Sequence, residues 1–367
     1  MKIFTTLTAS IAASAAACVF SLGLQAKPVI FDNDMAIDDW AALLFLVQHP
    51  KLDVTAITIS ASGESHCQPG LTNTTALLEL SPYSGKNIPV ACGDAEPLDG
   101  YAVFPEAWRT DSDTLSGVPV KASERPTSNK HAVEVIHQAI VESNEPVTIL
   151  ATGPLTNIAQ WLEKYPQDQK SVERLVIMGG NVNVKGNIIV PLFTKGHPNK
   201  TAEWNIFIDP VSADKVLASD LNIELVGLDV TNSVRVTSEL AAEFSQNAKT
   251  PAALFWKKVL AKNDWFIDSG EYYFWDTLAA LIVAEPELCQ GSMAGFNVEK
   301  STTTTPWLPT SDMSMSVTRW DGKPRQHLDS ERAGTFIADD TRPEIKVCEK
   351  TKPSYIFNDF SVIMNRS

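Results

Sequence analysis

The sequence is poor in the residues that form Cys/His metal sites. Its 367 residues include five cysteines and six histidines, with no CxxC pair and no histidines at a metal-ligand spacing. This excludes the common zinc motifs. Four cysteines follow the N-terminal segment, namely Cys67, Cys92, Cys289 and Cys348. They can pair in several ways, among which the sequence does not choose.

Basic residues are also scarce. There are 30 Lys and Arg residues against 44 Asp and Glu residues, which gives a formal net charge of −14. Such a chain repels nucleic acids and anionic membrane surfaces, so neither is expected as a partner. The chain is long enough to bury a large single core.

Long apolar runs are confined to the N-terminus. Residues 1–26 carry one charge, Lys2, then a run rich in small and apolar residues that ends at Ala26. This layout predicts a cleaved signal peptide, a mature domain over 27–367, and a periplasmic or secreted protein with no membrane segment after cleavage. A membrane span is the alternative. A lipid anchor at Cys18 is disfavoured, because only alanines precede it directly.

Strand-like runs alternate with amphipathic segments along most of the chain, as in βαβ units. The predicted strands are 28–31, 54–60, 88–91, 147–151, 175–179 and 223–229, and the clearest helices are 40–48 and 131–143. We therefore predict an α/β fold: a single Rossmann-like domain with a mostly parallel central sheet flanked by helices. In such folds the site lies at the C-terminal strand ends.

Three further segments lie outside the strands and helices predicted above. The connections 92–129 and 181–202 are long and rich in Gly, Pro, Asn and Lys. Loops of that length in a compact domain are usually functional, so both are expected near the site. Residues 296–340 are predicted to form late strands and turns.

The strongest motif is acidic and follows the first predicted strand. It places Asp32, Asp34, Asp38 and Asp39 within eight residues, where a helix is expected to begin. One or two acids can cap a helix, which is a purely structural interpretation of Asp38 and Asp39. Four like charges in one turn repel one another unless a cation or a proton compensates them. A hard divalent cation with oxygen ligands does so directly.

Two other motifs lie at predicted element ends. Thr152 opens the segment Thr-Gly-Pro-Leu-Thr-Asn after the strand 147–151, and Asp276 opens an apolar helical run. Taken singly, Thr152 is a turn residue and Asp276 a helix cap. Together with the acidic motif they predict a cage of oxygen ligands.

In order and spacing these motifs resemble the nucleoside hydrolase family over nearly all of the chain after residue 26. The segments that carry the resemblance are 31–39, 152–157, 176–180, 201–205 with 209–210, and 275–276. It implies hydrolysis of the N-glycosidic bond of ribonucleosides, with Ca²⁺ as cofactor and a small nucleoside as substrate. A homo-oligomer is left open.

The resemblance also implies roles for single residues. The calcium ligands would be Asp34, Asp39, Asp276 and the backbone carbonyl of Thr152, with Asp32 beside them. Asp34 would also take a proton from the attacking water. The residues expected around the ribose are Asp38, Glu203, Asn205 and Asp276, with Asn187 and Met178 closing over the sugar. For Asn187 the alternative is a solvated loop turn.

The chain departs from the family pattern in two places. Many relatives have Pro-Gly where this chain has Met35-Ala36. Some relatives carry a leaving-group histidine where this chain has Trp275. With Trp108 in the first long connection, this favours the purine-preferring branch, in which two tryptophans enclose the base. Both tryptophans could instead be packing aromatics.

Glu64 follows the second predicted strand and is either a contact to the base or ribose or a plain exposed acid. His66 and His197 lie in candidate loops, where a solvated histidine is the commoner case.

Two other functions are compatible with the motifs. The segment Phe31-Asp32-Asn33-Asp34 also resembles the start of phosphatases that form an aspartyl-phosphate, although those enzymes would not need Asp38 and Asp39. An exported nucleoside-binding protein without turnover is the non-enzymatic alternative, against which the intact Asp34 argues.

Overall fold

The structure is a computed structural model that describes residues 26–84, 87–98, 104–190, 194–302 and 331–366. The predicted signal segment, apart from Ala26, lies outside the described residues. So does most of the predicted late region, residues 303–330. Within the described part, no helix is long and apolar enough to cross a membrane.

The described residues contain ten strands, and eight of them form one central sheet. In chain order the strands are Lys27–Asn33 (β1), Leu52–Ile59 (β2), Val90–Cys92 (β3), Val147–Ala151 (β4), Val172–Met178 (β5), Ile223–Val226 (β6), Gln290–Ala294 (β7), Phe296–Val298 (β8), Phe336–Ala338 (β9) and Ile345–Lys350 (β10). The sheet order is β3-β2-β1-β4-β5-β6-β10-β7, and β8 pairs with β9 separately. All neighbours in the large sheet are parallel except β7, which is antiparallel to β10. The predicted mostly parallel sheet is thus confirmed.

Helices cover both faces of this sheet. They are Ile37–Gln48 (α1), Cys67–Leu78 (α2), Glu106–Asp113 (α3), Ala132–Glu142 (α4), Thr156–Lys164 (α5), Trp204–Ile208 (α6), Pro210–Leu217 (α7), Leu228–Thr231 (α8), Ser238–Asn247 (α9), Pro251–Lys262 (α10), Asp264–Ser269 (α11), Trp275–Ala284 (α12) and Pro353–Met364 (α13). Short 3₁₀ turns lie at Leu115–Gly117, Pro166–Ser171 and Pro286–Leu288.

The core of the described residues has two large apolar layers, one on each face of the sheet, and a smaller cluster around Phe104, Trp204 and Phe207. Trp40 and Leu44 of α1 belong to one layer, and Trp161 of α5 and Ile136 of α4 belong to the other. Burying a side chain of this size contributes roughly 1.5–3 kcal/mol. Because both faces of β1 are covered, its interior is a continuous buried run rather than an alternating one.

Some predicted boundaries were wrong. The sixth strand ends at Val226 rather than at residue 229, since Gly227 turns the chain into α8 and the Leu228 N–H bonds to the carbonyl of Gly180 at 2.9 Å. A side chain at residue 227 would lie 2.6 Å from that carbonyl oxygen. The connection 92–129 is not a plain loop, because it contains α3.

The order of the strands places the ligand site. The chain winds outward from β1 through β2 and β3, then returns and builds the other half of the sheet from β4. Neighbouring loops diverge where the winding direction reverses, which opens a crevice at the carboxyl ends of β1 and β4. The acidic motif and Thr152 both follow these two strand ends.

Two disulfides settle the cysteine pairing. Cys67 at the start of α2 pairs with Cys92 at the end of β3, with 5.8 Å between their Cα atoms. Cys289, directly before β7, pairs with Cys348 of β10, with 5.0 Å between their Cα atoms. The first pair is half-buried and the second is fully buried.

Candidate active site

The acidic motif forms a tight turn between β1 and α1. Its centre is Met35, a buried residue with a φ of 58° in the left-handed region. The Met35 N–H donates to Oδ1 of Asn33 at 3.1 Å, and its carbonyl accepts from Nε1 of Trp40 at 2.8 Å. These two bonds hold a backbone conformation that few residues other than glycine adopt. The turn brings Asp34 close to the first turn of α1.

Asp39 and Thr152 connect this turn to the end of β4. Oδ2 of Asp39 accepts from the Ala36 N–H at 2.9 Å, and Oδ1 accepts from Oγ1 of Thr152 at 2.6 Å. The Thr152 N–H donates to the carbonyl of Asp32 at 2.9 Å. Two strand ends far apart in sequence therefore meet at this point.

Asp276 joins the cluster from α12. Its N–H lies 3.4 Å from Oδ2 of Asp38, and Oγ1 of Thr277 lies 3.4 Å from the Asp38 carbonyl. Burial raises the pKa of Asp276 well above its ordinary value, and the charges of Asp38 and Asp39 raise it further. Burial also raises the pKa of Asp38.

The buried carboxyls are arranged in hydrogen-bonded pairs, Asp34 with Asp39 and Asp38 with Asp276. Burial, then the charge of Asp39, raises the pKa of Asp34 well above its ordinary range. Burial, then the charge of Asp38, raises the pKa of Asp39 to about 7. Two carboxyls can form such a bond only if one of them keeps a proton. A cation between them would remove that requirement.

The donor set fits a hard cation in its chemistry. It consists of oxygen atoms only, from Asp34, Asp39, Asp276 and the Thr152 carbonyl. Among the residues that the structure describes, no three Asp, Glu, His or Cys side chains are already arranged as a metal-binding group. Calcium takes about six to eight oxygen ligands in flexible geometry, with carbonyls and waters among them, which is the chemistry of these donors.

Glu203 and Asn205 approach the cluster from α6. Glu203 caps this helix: Oε1 accepts from the Asn205 N–H at 2.9 Å and Oε2 from the Gly180 N–H at 2.9 Å. Burial raises the pKa of Glu203 to about 7. Nδ2 of Asn205 donates to the Thr152 carbonyl at 3.0 Å and lies 3.3 Å from that of Met178.

Asn187 lies in the second long connection. Its Oδ1 accepts from the Trp204 N–H at 3.1 Å, and it lines the cleft described next. This bond ties the side chain to the start of α6, and the role of Asn187 over the sugar stays a prediction.

These side chains surround one cleft of about 620 Å³. The residues predicted to form the site that line it are Asp34, Asp38, Trp108, Thr152, Met178, Asn187, Glu203, Asn205, Trp275 and Asp276. Asp39 is fully buried and lies beneath the cleft, where it contacts Asp34 and Thr152. Asp32 is also fully buried; Oγ1 of Thr58 donates to its Oδ1 at 2.6 Å.

Aromatic rings form two walls of this cleft. Trp108 of α3 packs edge-on against Trp204, with 5.4 Å between ring centroids. Trp275 packs against Phe266 and Tyr273 at 6.1 and 5.7 Å. Both tryptophans thus pack against other aromatics and also line the cleft. The sequence analysis gave no role to Trp204, Phe266 or Tyr273, although Trp204 lies within the predicted segment 201–205.

Glu64 is a site residue whose role the sequence left open. Its N–H donates to Oδ2 of Asp34 at 2.9 Å, and its Oε1 accepts from Oγ of Ser112 at 2.6 Å. Burial, then the charge of Asp34, raises its pKa to about 8. It lines the cleft and is not a plain exposed acid. His66 instead contacts Asp113 at 2.7 Å.

The sequence of this chain matches one protein family over most of its length. Residues 29–357 match the family described as inosine-uridine preferring nucleoside hydrolase. A pyrimidine-specific ribonucleoside hydrolase RihA of Shewanella sp. (strain MR-4) is 34% identical over 215 residues, which cover 59% of this chain and 63% of the relative. The chain thus matches less than two thirds of the length of that relative.

Solved structures share the fold. The inosine-uridine preferring nucleoside hydrolase of Bacillus anthracis superposes with a TM-score of 0.69 at 22% identity, covering 92% of this chain and 99% of the other. The purine-preferring ribonucleoside hydrolase of Gardnerella vaginalis gives 0.70 at 20% identity, covering 92% and 98%.

Fold and site together define an α/β protein with an acidic, aromatic-walled ligand cleft at the switch point of its sheet. The chain belongs to the inosine-uridine preferring nucleoside hydrolase family. The family resemblance seen in the motifs is confirmed, while the purine-preferring branch stays a prediction.

Proposed function

We propose that this protein hydrolyses the N-glycosidic bond of ribonucleosides and releases free base and ribose. The observation that carries the proposal is the convergence of Asp34, Asp38, Glu203 and Asp276 on one aromatic-walled cleft. Cleavage of this bond builds positive charge on the sugar ring. Carboxylates around the ring therefore stabilise the transition state more than the neutral substrate.

Asp34 is the proposed general base, which takes a proton from the attacking water. The N–H of Glu64 donates to its Oδ2 at 2.9 Å, which holds the carboxyl at the cleft. The residues proposed to bind the ribose hydroxyls are Asp38, Glu203, Asn205 and Asp276, with Asn187 and Met178 over the sugar. The caps and backbone bonds described above fix Glu203 and Asn205 before substrate arrives, which reduces the cost of ordering them.

Calcium is the proposed cofactor, held by Asp34, Asp39, Asp276 and the carbonyl of Thr152. When bound it supplies positive charge that orients and acidifies a water molecule. Support comes from the oxygen-only donor set and from the buried carboxyls, whose pKa values are raised by burial and, for Asp34, Asp39 and Asp276, also by the charges of neighbouring carboxylates.

For the leaving base we propose a preference for purines. Trp108 and Trp275 line the cleft and offer faces for stacking. No histidine lies among the described residues that line it, so protonation of the base falls to solvent or another group. Pyrimidine cleavage is the second candidate, because relatives that match this chain are named pyrimidine-specific.

One experiment tests activity, metal and preference together. The purified protein is incubated with inosine, guanosine, adenosine, uridine or cytidine, with calcium or with a chelator, and free bases are separated by chromatography. Asp34→Asn is the matched inactive control. We expect base release that needs calcium and is faster for purines. Phosphate release from nucleotides with nucleosides untouched would instead support the phosphatase alternative, and binding without release would support a binding protein.

We also propose that residues 1–26 are a signal peptide and that 27–367 form the exported hydrolase domain, in the periplasm or outside the cell. The two disulfides support this, since such bonds persist in oxidising compartments. The mass of the exported protein tests it: an N-terminus other than Lys27 would contradict the cleavage site.

A further inference from the structure

The segment 60–66, here called the site loop, connects β2 to α2 and touches Asp34 three times. The Glu64 N–H donates to Oδ2 of Asp34, and the Ser65 N–H donates to its carbonyl, both at 2.9 Å. A Cβ atom at Gly63 would lie 2.3 Å from Cβ of Asp34, so the backbone passes directly against this side chain. The position of Asp34 therefore depends on the position of the site loop.

The site loop is fixed at both ends. At its start the Ser60 N–H donates to the carbonyl of Asn33 at 2.7 Å, which continues the pairing of β2 with β1. Directly after its end, Cys67 is bonded to Cys92. Cys92 lies opposite Ile59 in the pairing of β2 with β3, so the disulfide ties the end of the site loop back to the sheet from which it started.

Helix α3 rests on the same loop. Oγ of Ser112 donates to Glu64 at 2.6 Å, and Oδ1 of Asp113 accepts from the His66 N–H at 2.9 Å. Trp108, one turn earlier on α3, lines the cleft. A shift of the site loop would therefore move the proposed base and one aromatic wall together.

We propose that Cys67 and Cys92 are positioning residues for the hydrolysis, and that their disulfide holds the site loop against Asp34 and α3. The inference rests on the proposed function. Reduction by a dithiol breaks the S–S bond and delivers two electrons and two protons, giving two thiols while the dithiol becomes a disulfide. The freed loop then lowers turnover without unfolding the protein.

The second disulfide is a built-in control. Cys289–Cys348 ties β7 to β10 at the edge of the sheet, and neither residue lines the cleft. It closes a sequence separation of 59 residues against 25 for Cys67–Cys92. In the chain-entropy model the longer loop stabilises the fold slightly more. If the disulfides act only through stability, removing Cys289–Cys348 should lower turnover at least as much as removing Cys67–Cys92. If Cys67–Cys92 positions the site loop, its removal should lower turnover more.

The test compares Cys67→Ala/Cys92→Ala with Cys289→Ala/Cys348→Ala in the full mature chain. Turnover and KM for nucleosides, melting temperature and calcium affinity without substrate are measured for each. We expect the first variant to lose about tenfold or more in turnover, because small misplacements of reacting groups have effects of that size. We expect the second to lose at least as much in melting temperature while its turnover stays within about twofold. Equal turnover in both variants, or the reverse order, overturns the proposal.

Reduction of the unmodified protein gives an independent readout that needs no mutant to fold. Cys67 and Cys92 are half-buried, whereas Cys289 and Cys348 are 3% and 0% exposed, so dithiothreitol reaches the first pair first. Turnover of the unmodified protein should fall on mild reduction and recover on reoxidation. Turnover of Cys67→Ala/Cys92→Ala should not respond to mild reduction. If complete reduction of Cys67–Cys92 leaves the turnover of the unmodified protein unchanged, the proposal is overturned. If the unmodified protein releases no base, the proposed function fails. The calcium affinities of the two variants still test whether the Cys67–Cys92 disulfide holds the site loop against Asp34.

Discussion

Calcium and protons should compete for the acidic turn, and the structure gives the size of the effect. Burial and the charge of Asp38 raise the pKa of Asp39 to about 7, so the metal-free protein holds a proton there at pH 6. A cation binds the ionised form, and binding releases that proton. For one group with this pKa, the dissociation constant weakens about tenfold between pH 8 and pH 6, or roughly 1.4 kcal/mol.

The measurement is calorimetric titration with calcium at pH 6, 7 and 8, in two buffers of different ionisation enthalpy. The buffer dependence counts the protons released. The share that Asp39 contributes, taken as the difference from Asp39→Asn, should approach one at pH 6 and zero at pH 8. The buried histidines do not interfere, because burial lowers the pKa of His49 and of His197 to about 4 and both are neutral in this range.

Asp39→Asn is the control for this titration. The variant should bind calcium more weakly at pH 8 and should lose the part of the pH dependence that Asp39 causes, while the raised pKa values of Asp34 and Asp276 leave a remainder. A dissociation constant of the unmodified protein that is constant within about twofold from pH 6 to 8, with no proton release, would refute the reasoning.

Further outcomes follow from the assigned roles. Asp34→Asn should keep the fold while turnover falls by roughly 10²–10⁴-fold, as for loss of a general base; near-normal turnover with calcium bound would contradict that role. Asp38→Ala should raise KM more than it lowers turnover, measured with inosine, whereas an unchanged KM would remove it from the ribose site. Trp275→Ala, and to a smaller extent Trp108→Ala, should slow inosine cleavage far more than cleavage of a nitrophenyl riboside, and equal losses would show that the rings only shape the cleft. Chelation should lower both activity and melting temperature, and stoichiometric zinc without calcium in the purified protein would exclude calcium.

The acidic site could be predicted from the sequence because its parts follow strand ends. Asp34 and Thr152 each come directly after a buried strand, and parallel strands bring their carboxyl ends to one edge of the sheet. Glu203 could be placed only through the family resemblance, since its short helix is too weak a pattern to predict. Its capping bonds exist only after the fold has formed.

Other features lay beyond the sequence for physical reasons. The pairing of four cysteines depends on distances between elements, and periodicity says nothing about those. Helix α3 has a polar sequence, and its position depends on contacts distant in sequence, among them the bonds from Ser112 and Asp113 to the site loop. Ser112 of α3 also bonds to the side chain of Glu64, which lines the cleft. Because this contact is distant in sequence, the role of Glu64 could not be decided from the residues next to it in the sequence.

The turn at Met35 limits which sequences this loop can accept. Many relatives carry Pro-Gly where this chain has Met35-Ala36. Proline is confined to a φ near −65° and has no N–H, whereas Met35 has a φ of 58° and donates its N–H to Asn33. Met35→Pro would therefore have to reverse the turn and break that bond, although it restores the residue found in relatives. The spacing of the carboxylates is the same while the two residues between them differ, so at this position the residue of the relatives is the wrong guide to a stabilising substitution in this chain.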